Sequence, residues 1–128
     1  MSELAERVLL VDDDLAVRTS LKFALELEGL AVRVYDSGAA LLADPDLARS
    51  ACIVVDYNMP GMNGIELVER LEERHLHHPV ILMTSGKARD VPEASIHPDI
   101  RDVLEKPLED DALLDRIHAV LASTCPRD

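Results

Sequence analysis

The chain has 128 residues, and its 25 Asp and Glu against 13 Lys and Arg give a formal net charge of −12 at pH 7. Such a balance argues against an even basic face for direct nucleic acid binding and against attraction to an anionic membrane. Hydrophobic residues make up 48% of the chain but only two Tyr and one Phe are aromatic, so a single domain of this size is expected to bury an aliphatic core.

The opening "MSELAER" lacks the cationic-then-apolar pattern of a secretion signal. "RVLLVD" (7–12) reads as a strand buried on both faces. After it, Val17, Leu21, Ala24 and Leu25 recur at helical spacing, and Gly29 supplies a stop. "AVRVY" (31–35) alternates like a strand nearer an edge; Ser37 is placed to cap "GAALLA", which Pro45 ends. "ACIVVDYN" (51–58) is the most strand-like run, followed by the turn-rich loop "NMPGMNG" and a helix with Ile65, Val68 and Leu71 on one face. "PVILMTSG" (79–86) gives a fourth strand, "RDVLEKP" (101–107) a weaker fifth, and "EDDALLDRIHAVLAS" a closing helix. Between Gly86 and Arg101, Pro92 and Pro98 predict a short or distorted fourth helix entered through Pro92, because a helix interior tolerates proline badly. No apolar run approaches the ~20 residues of a membrane span. Cys52 and Cys125 read as free thiols of a reducing compartment, so a cytoplasmic location is expected. The domain is read as 1–128, with a core over about 6–122 and a tail at 123–128.

Strands alternating with helices, with near-continuous apolar strands, predict a doubly wound α/β fold around a parallel sheet. Polar residues gather where the strands end: Asp12 and Asp13 after the first, Asp56 at the third, Thr84 and Ser85 at the fourth, Lys106 and Pro107 at the fifth. In a parallel sheet those ends share one edge, where ligands bind. Converging acids repel, by about 4 kcal/mol for a pair ~4 Å apart near a surface, so a hard divalent cation such as Mg²⁺ is the expected neutraliser. A carboxylate near a cation, a hydroxyl and a lysine has the parts for phosphoryl transfer, with Asp56 attacking phosphorus, Lys106 facing phosphoryl oxygens and Thr84 donating a hydrogen bond.

The motifs "VLLVDDD", "VVDYNMPGMNGIEL", "VILMTSG" and "LEKP", in this order, resemble the receiver domain of two-component response regulators, chemotaxis-regulator-like, over essentially the whole chain. The resemblance implies a (βα)5 flavodoxin-like fold with strand order 2-1-3-4-5. It implies Asp56 as phosphoacceptor, and Asp12, Asp13, Asp56 and the Asn58 backbone carbonyl around Mg²⁺, or Mn²⁺ in its place. Thr84 is then the switch hydroxyl and Lys106 the phosphoryl-binding lysine, with a cis bond to Pro107. The phosphoryl donor would be a sensor histidine kinase or a histidine phosphotransfer protein, and the output partner is unknown. Such a domain catalyses only its own phosphorylation and dephosphorylation. A Mg²⁺-dependent small-molecule phosphohydrolase is the alternative, but Asn58 stands where those enzymes usually offer a general acid, and no insertion supplies a cap. A non-phosphorylated interaction module would not need the complete set of site residues.

One departure bears on signalling. Many relatives carry Tyr or Phe where this chain has Val103, and valine has no ring to swing inward, so switching is expected to use the 86–103 segment differently. Asn58 and Gly86 are placed to tune autodephosphorylation. Ser85 is read as satisfying nearby backbone and Tyr57 as a wall of the site. Asp14 is a competing metal acid if Asp12 points away. The resemblance puts the exposed side of the first helix, with Leu15 and Phe23, beside the kinase docking surface. His75, His77 and His78 read as a solvated, pH-sensitive loop rather than a zinc site. An ending at "STCPRD" suits a free-standing regulator or a receiver cut from a longer protein, and dimerisation on phosphorylation is left open.

Overall fold

The computed structural model describes residues 7–47, 52–87, 91, 97–106, 108 and 110–124. The chain alternates β1 (Arg7–Val11), α1 (Leu15–Leu27), β2 (Ala31–Tyr35), α2 (Gly38–Leu42), β3 (Cys52–Asp56), α3 (Gly64–Glu73), β4 (Val80–Thr84), β5 (Ile100–Glu105) and α4 (Asp110–Thr124). The expected distorted helix around Pro92, the Lys106–Pro107 peptide bond and Cys125 lie outside the described residues.

Local chemistry fixes where the helices begin. Asp14 caps α1, its carboxylate accepting the N–H groups of Ala16 at 2.9 Å and Val17 at 3.4 Å. This acid therefore serves the helix rather than a metal pair. Ser37 caps α2 through the Ala40 N–H at 3.1 Å. Asn63 and Glu66 exchange side-chain-to-backbone bonds of 2.9 Å each, a capping box that starts α3. Gly29 follows α1 at φ +92°, a left-handed turn that would strain a side chain.

All strand pairs are parallel, in the order β2-β1-β3-β4-β5. Both faces of the sheet are covered. Leu9, Val11, Ile53, Val55 and Leu82 meet Leu41 of α2 and Leu67, Val68 and Leu71 of α3. On the other face Val8, Leu10, Val54, Ile81 and Met83 meet Leu21 and Leu25 of α1 and Leu113, Ile117 and Val120 of α4. Each fully buried aliphatic contributes about 1.5–3 kcal/mol, which is why the central strands read as unbroken apolar runs. Cys52 lies in this interior, and burial pushes its thiol up to about 12, so it stays an inert thiol.

The site depends on how closely α3 starts against β3. A Cβ on Gly64 would lie 2.5 Å from Leu82 Cδ1 and 3.2 Å from the Asp56 carbonyl oxygen, so the helix reaches the end of β3 only because this position has no side chain.

Candidate functional site

The ladders continue one step past the strand ends and set the polar residues in place. Asp12 N–H donates to the Tyr35 carbonyl at 3.1 Å, Tyr57 N–H to Met83 at 2.7 Å, and Lys106 N–H to Thr84 at 2.7 Å. The residues after β1, β3 and β5 are thereby held at one edge of the sheet, with Thr84 between Asp56 and Lys106.

Asp12 and Asp56 are buried there and are bonded alike. One oxygen of each accepts a backbone N–H two residues on: Asp14 N at 2.9 Å for Asp12, Asn58 N at 3.0 Å for Asp56. The other oxygen faces Lys106, whose Nζ lies 3.0 Å from Asp12 Oδ2 and 3.2 Å from Asp56 Oδ2. Burial, reinforced by the nearby Asp12 charge, pushes the Asp56 carboxyl up against the opposing pull of the Asn58 N–H and Lys106. For Lys106, burial works against the charge, yet the hydrogen bond to Asp12 and the attraction of both acids carry the net shift upward. Lys106 is an ammonium bridging two carboxylates.

Asp13 completes the acidic group. Ligand oxygens of Asp12, Asp13 and Asp56 all lie within 4.8 Å of one another, with Asp13 exposed and the other two buried. Three clustered carboxylates, two of them sharing one ammonium, make an oxygen-only donor set with excess negative charge, which fits a hard divalent cation. Among the described residues it is the only such group, and His75, His77 and His78 form none. His77 instead pairs with Asp99 at 2.9 Å, and burial pushes the His78 imidazole down.

Thr84 is buried, and its hydroxyl accepts the Gly86 N–H at 3.1 Å and lies 3.4 Å from Asn58 Oδ1. Gly86 leaves open space: its nearest neighbour to an added Cβ is Thr84 Oγ1 at 3.8 Å. Val103 sits in β5 opposite Leu82 and packs, half-buried, against the α3-side core. Tyr57 packs, part-buried, against the same core. Leu15 and Phe23 are 67% and 66% exposed on α1, beside a shallow groove with Arg18, Lys22 and Val34.

Two contacts lay beyond the sequence reading. Arg18 Nη1 donates to the Asp12 carbonyl at 2.7 Å, pinning the first loop from α1. Ser85, expected to satisfy nearby backbone, instead sends both its N–H (2.9 Å) and its hydroxyl (3.0 Å) to Asn58 Oδ1. An amide after one strand and a hydroxyl after the next were the available signal; their meeting depends on the β3–β4 register.

Comparison with known proteins agrees with this geometry. Residues 8–118 match the response regulator receiver domain. The chain is 43% identical over 116 residues to the transcriptional regulatory protein FixJ of Azorhizobium caulinodans, covering 89% of this chain and 54% of that protein. It therefore spans about half the length of that curated relative. The FixJ-N crystal structure superposes with a TM-score of 0.80 at 34% identity, covering 91% of this chain and 93% of that one. The signal receiver domain of a histidine kinase from Syntrophus aciditrophicus gives 0.82 at 28% identity, covering 96% and 95%. The strand order, the acidic edge with its lysine, and these matches agree: the chain belongs to the receiver domains of two-component response regulators.

Proposed function

We propose that Asp56 is the phosphoacceptor and that phosphorylation there switches the affinity of this domain for a partner. The observation that carries the reading is Lys106 Nζ held between the buried carboxylates of Asp12 and Asp56. Asp12, Asp13 and Asp56, with the Asn58 carbonyl, would hold Mg²⁺ (or Mn²⁺), which when bound offsets charge on the acids and on the phosphoryl oxygens.

The chain's own residues supply the rest. The Asp56 carboxylate forms a bond to phosphorus as the phosphorus–nitrogen bond of a phosphohistidine breaks and its electron pair stays with the leaving imidazole. Lys106 faces the phosphoryl oxygens and exchanges a carboxylate partner for them. Thr84 gives its hydroxyl proton to another of these oxygens. Attack by water later releases inorganic phosphate and restores the carboxylate, so the domain catalyses only its own phosphorylation and dephosphorylation. The donor is a sensor histidine kinase or a histidine phosphotransfer protein, and the exposed Leu15 and Phe23 on α1 are its docking candidates. Residues 1–128 act as one receiver domain with a core over about 6–122. No helix among the described residues is long and apolar enough to cross a membrane.

Incubation with acetyl phosphate and Mg²⁺, followed by mass spectrometry, tests this reading. One phosphoryl group on Asp56 is the expected product. Many turnovers of a small phosphate ester without stable modification would support a hydrolase, and no modification would leave an interaction module.

A further inference from the structure

Asn58 touches both ends of the switch. Its backbone N–H donates to Asp56 Oδ1 at 3.0 Å, while its side-chain oxygen takes Ser85 N–H at 2.9 Å, Ser85 Oγ at 3.0 Å and Thr84 Oγ1 at 3.4 Å. Three donors from the end of β4 thus converge on one acceptor from the loop after β3. The Thr84 hydroxyl is engaged on both sides, since it also accepts the Gly86 N–H at 3.1 Å. To serve a phosphoryl oxygen it must turn from the Asn58 oxygen. At β5, Val103 packs into the core and offers no ring to relay such a movement.

We propose that the Asn58 side chain is the latch of this switch: it holds Thr84 and Ser85 in the resting arrangement and releases Ser85 when Thr84 turns to a phosphoryl group on Asp56. The proposal rests on the phosphoacceptor reading and adds how that site is regulated. Asn58 is a positioning residue here, acting through Ser85 and Thr84. Asn58 and Ser85 are both exposed, so water competes for these bonds and the latch is weak. Weakness suits the role, because a phosphoryl group can shift the equilibrium only by its differential interaction with the two arrangements.

Amide NMR on the full chain, with beryllofluoride and Mg²⁺ as the phosphoryl mimic, tests it. In the unmodified protein the mimic should move the Lys87 resonance, one residue beyond the turn. Asn58→Ala without the mimic should move Lys87 part of the way along the same line, with about a tenfold rise in the switched population (~1.4 kcal/mol). Ser85→Ala should give a smaller displacement in the same direction, and Ser85→Thr, which keeps the hydroxyl, should give none. Because Asn58→Ala already removes the Ser85 contact, the double variant should match Asn58→Ala alone. An Asn58→Ala spectrum with Lys87 at its unmodified position, or additive single effects, would overturn the latch while leaving the phosphoacceptor reading intact. A wild-type protein that ignores beryllofluoride would overturn both.

Discussion

Asp44 and Asp56 are both carboxylates with little exposure, 7% and 4% of their side chains, yet their surroundings push them in opposite directions. Asp44, just beyond α2, accepts the Tyr35 hydroxyl, the Asp46 N–H at 2.8 Å and Arg33 Nη1 at 3.0 Å. Led by the Tyr35 hydroxyl and the Asp46 N–H, these donors hold its carboxyl below the usual range despite burial. Asp56 has the Asn58 N–H and Lys106 as donors, shares Lys106 with Asp12, and is pushed up by burial and by that second acid. One acid is saturated where it stands; the other is short of positive partners. The difference separates a carboxylate that braces a fold from one that has stabilisation left to gain from a bound cation.

The comparison is broken most directly by phosphorylation. Asp56→Asn should abolish uptake from acetyl phosphate, whereas Asp44→Ala should retain full stoichiometry; mass spectrometry of both proteins decides. Next in size is the response to metal. Thermal unfolding of the wild type should rise with Mg²⁺, by an increment of about 2.7 kcal/mol at a hundredfold excess over the dissociation constant. Asp44→Ala should keep that increment and Asp56→Asn should lose most of it.

Stability without metal should differ in sign between the two sites. Urea titration in a chelating buffer should find Asp44→Ala less stable by about 1–2 kcal/mol, because the part-buried Tyr35 hydroxyl loses its acceptor. Asp56→Asn should be more stable by about 1 kcal/mol, because a crowded buried charge is relieved. The smallest effect is on pH dependence. Since the folded pKa of Asp44 lies below its ordinary 3.8, its contribution is present above that value and is lost as pH falls through the lowered one. The gap between wild type and Asp44→Ala should therefore narrow only below about pH 4. A gap that widens in acid would reverse the assignment.

Much of this contrast was visible along the chain on one side only. Asp12, Asp13, Asp56, Thr84 and Lys106 each stand at or just past the end of a strand, and parallel strands have their carboxyl ends at one edge, so convergence follows from periodicity and chain order. The Asp44 cluster is not legible in the sequence, although Arg33 and Tyr35 share a strand face, because the turn after α2 decides where an acid beyond it lands. Asp14 was legible as an acid but not by role; its cap became evident only with the N–H groups of Ala16 and Val17 in place. His97, outside the run at 75–78, carries no signal in the sequence, yet it is buried between Glu72 at 3.2 Å and Glu69 at 3.6 Å.

The sequence by itself determined the strand and helix alternation, the aliphatic core, the acidic edge and the family, because these depend on residue type, period and order. Tertiary structure alone decided which atoms meet there. Lys106 lies between two acids, and Asn58 reaches Ser85, because strands far apart in the chain lock in one register. A hydrogen bond forms or fails over a fraction of an ångström, and no periodicity in a chain carries that precision.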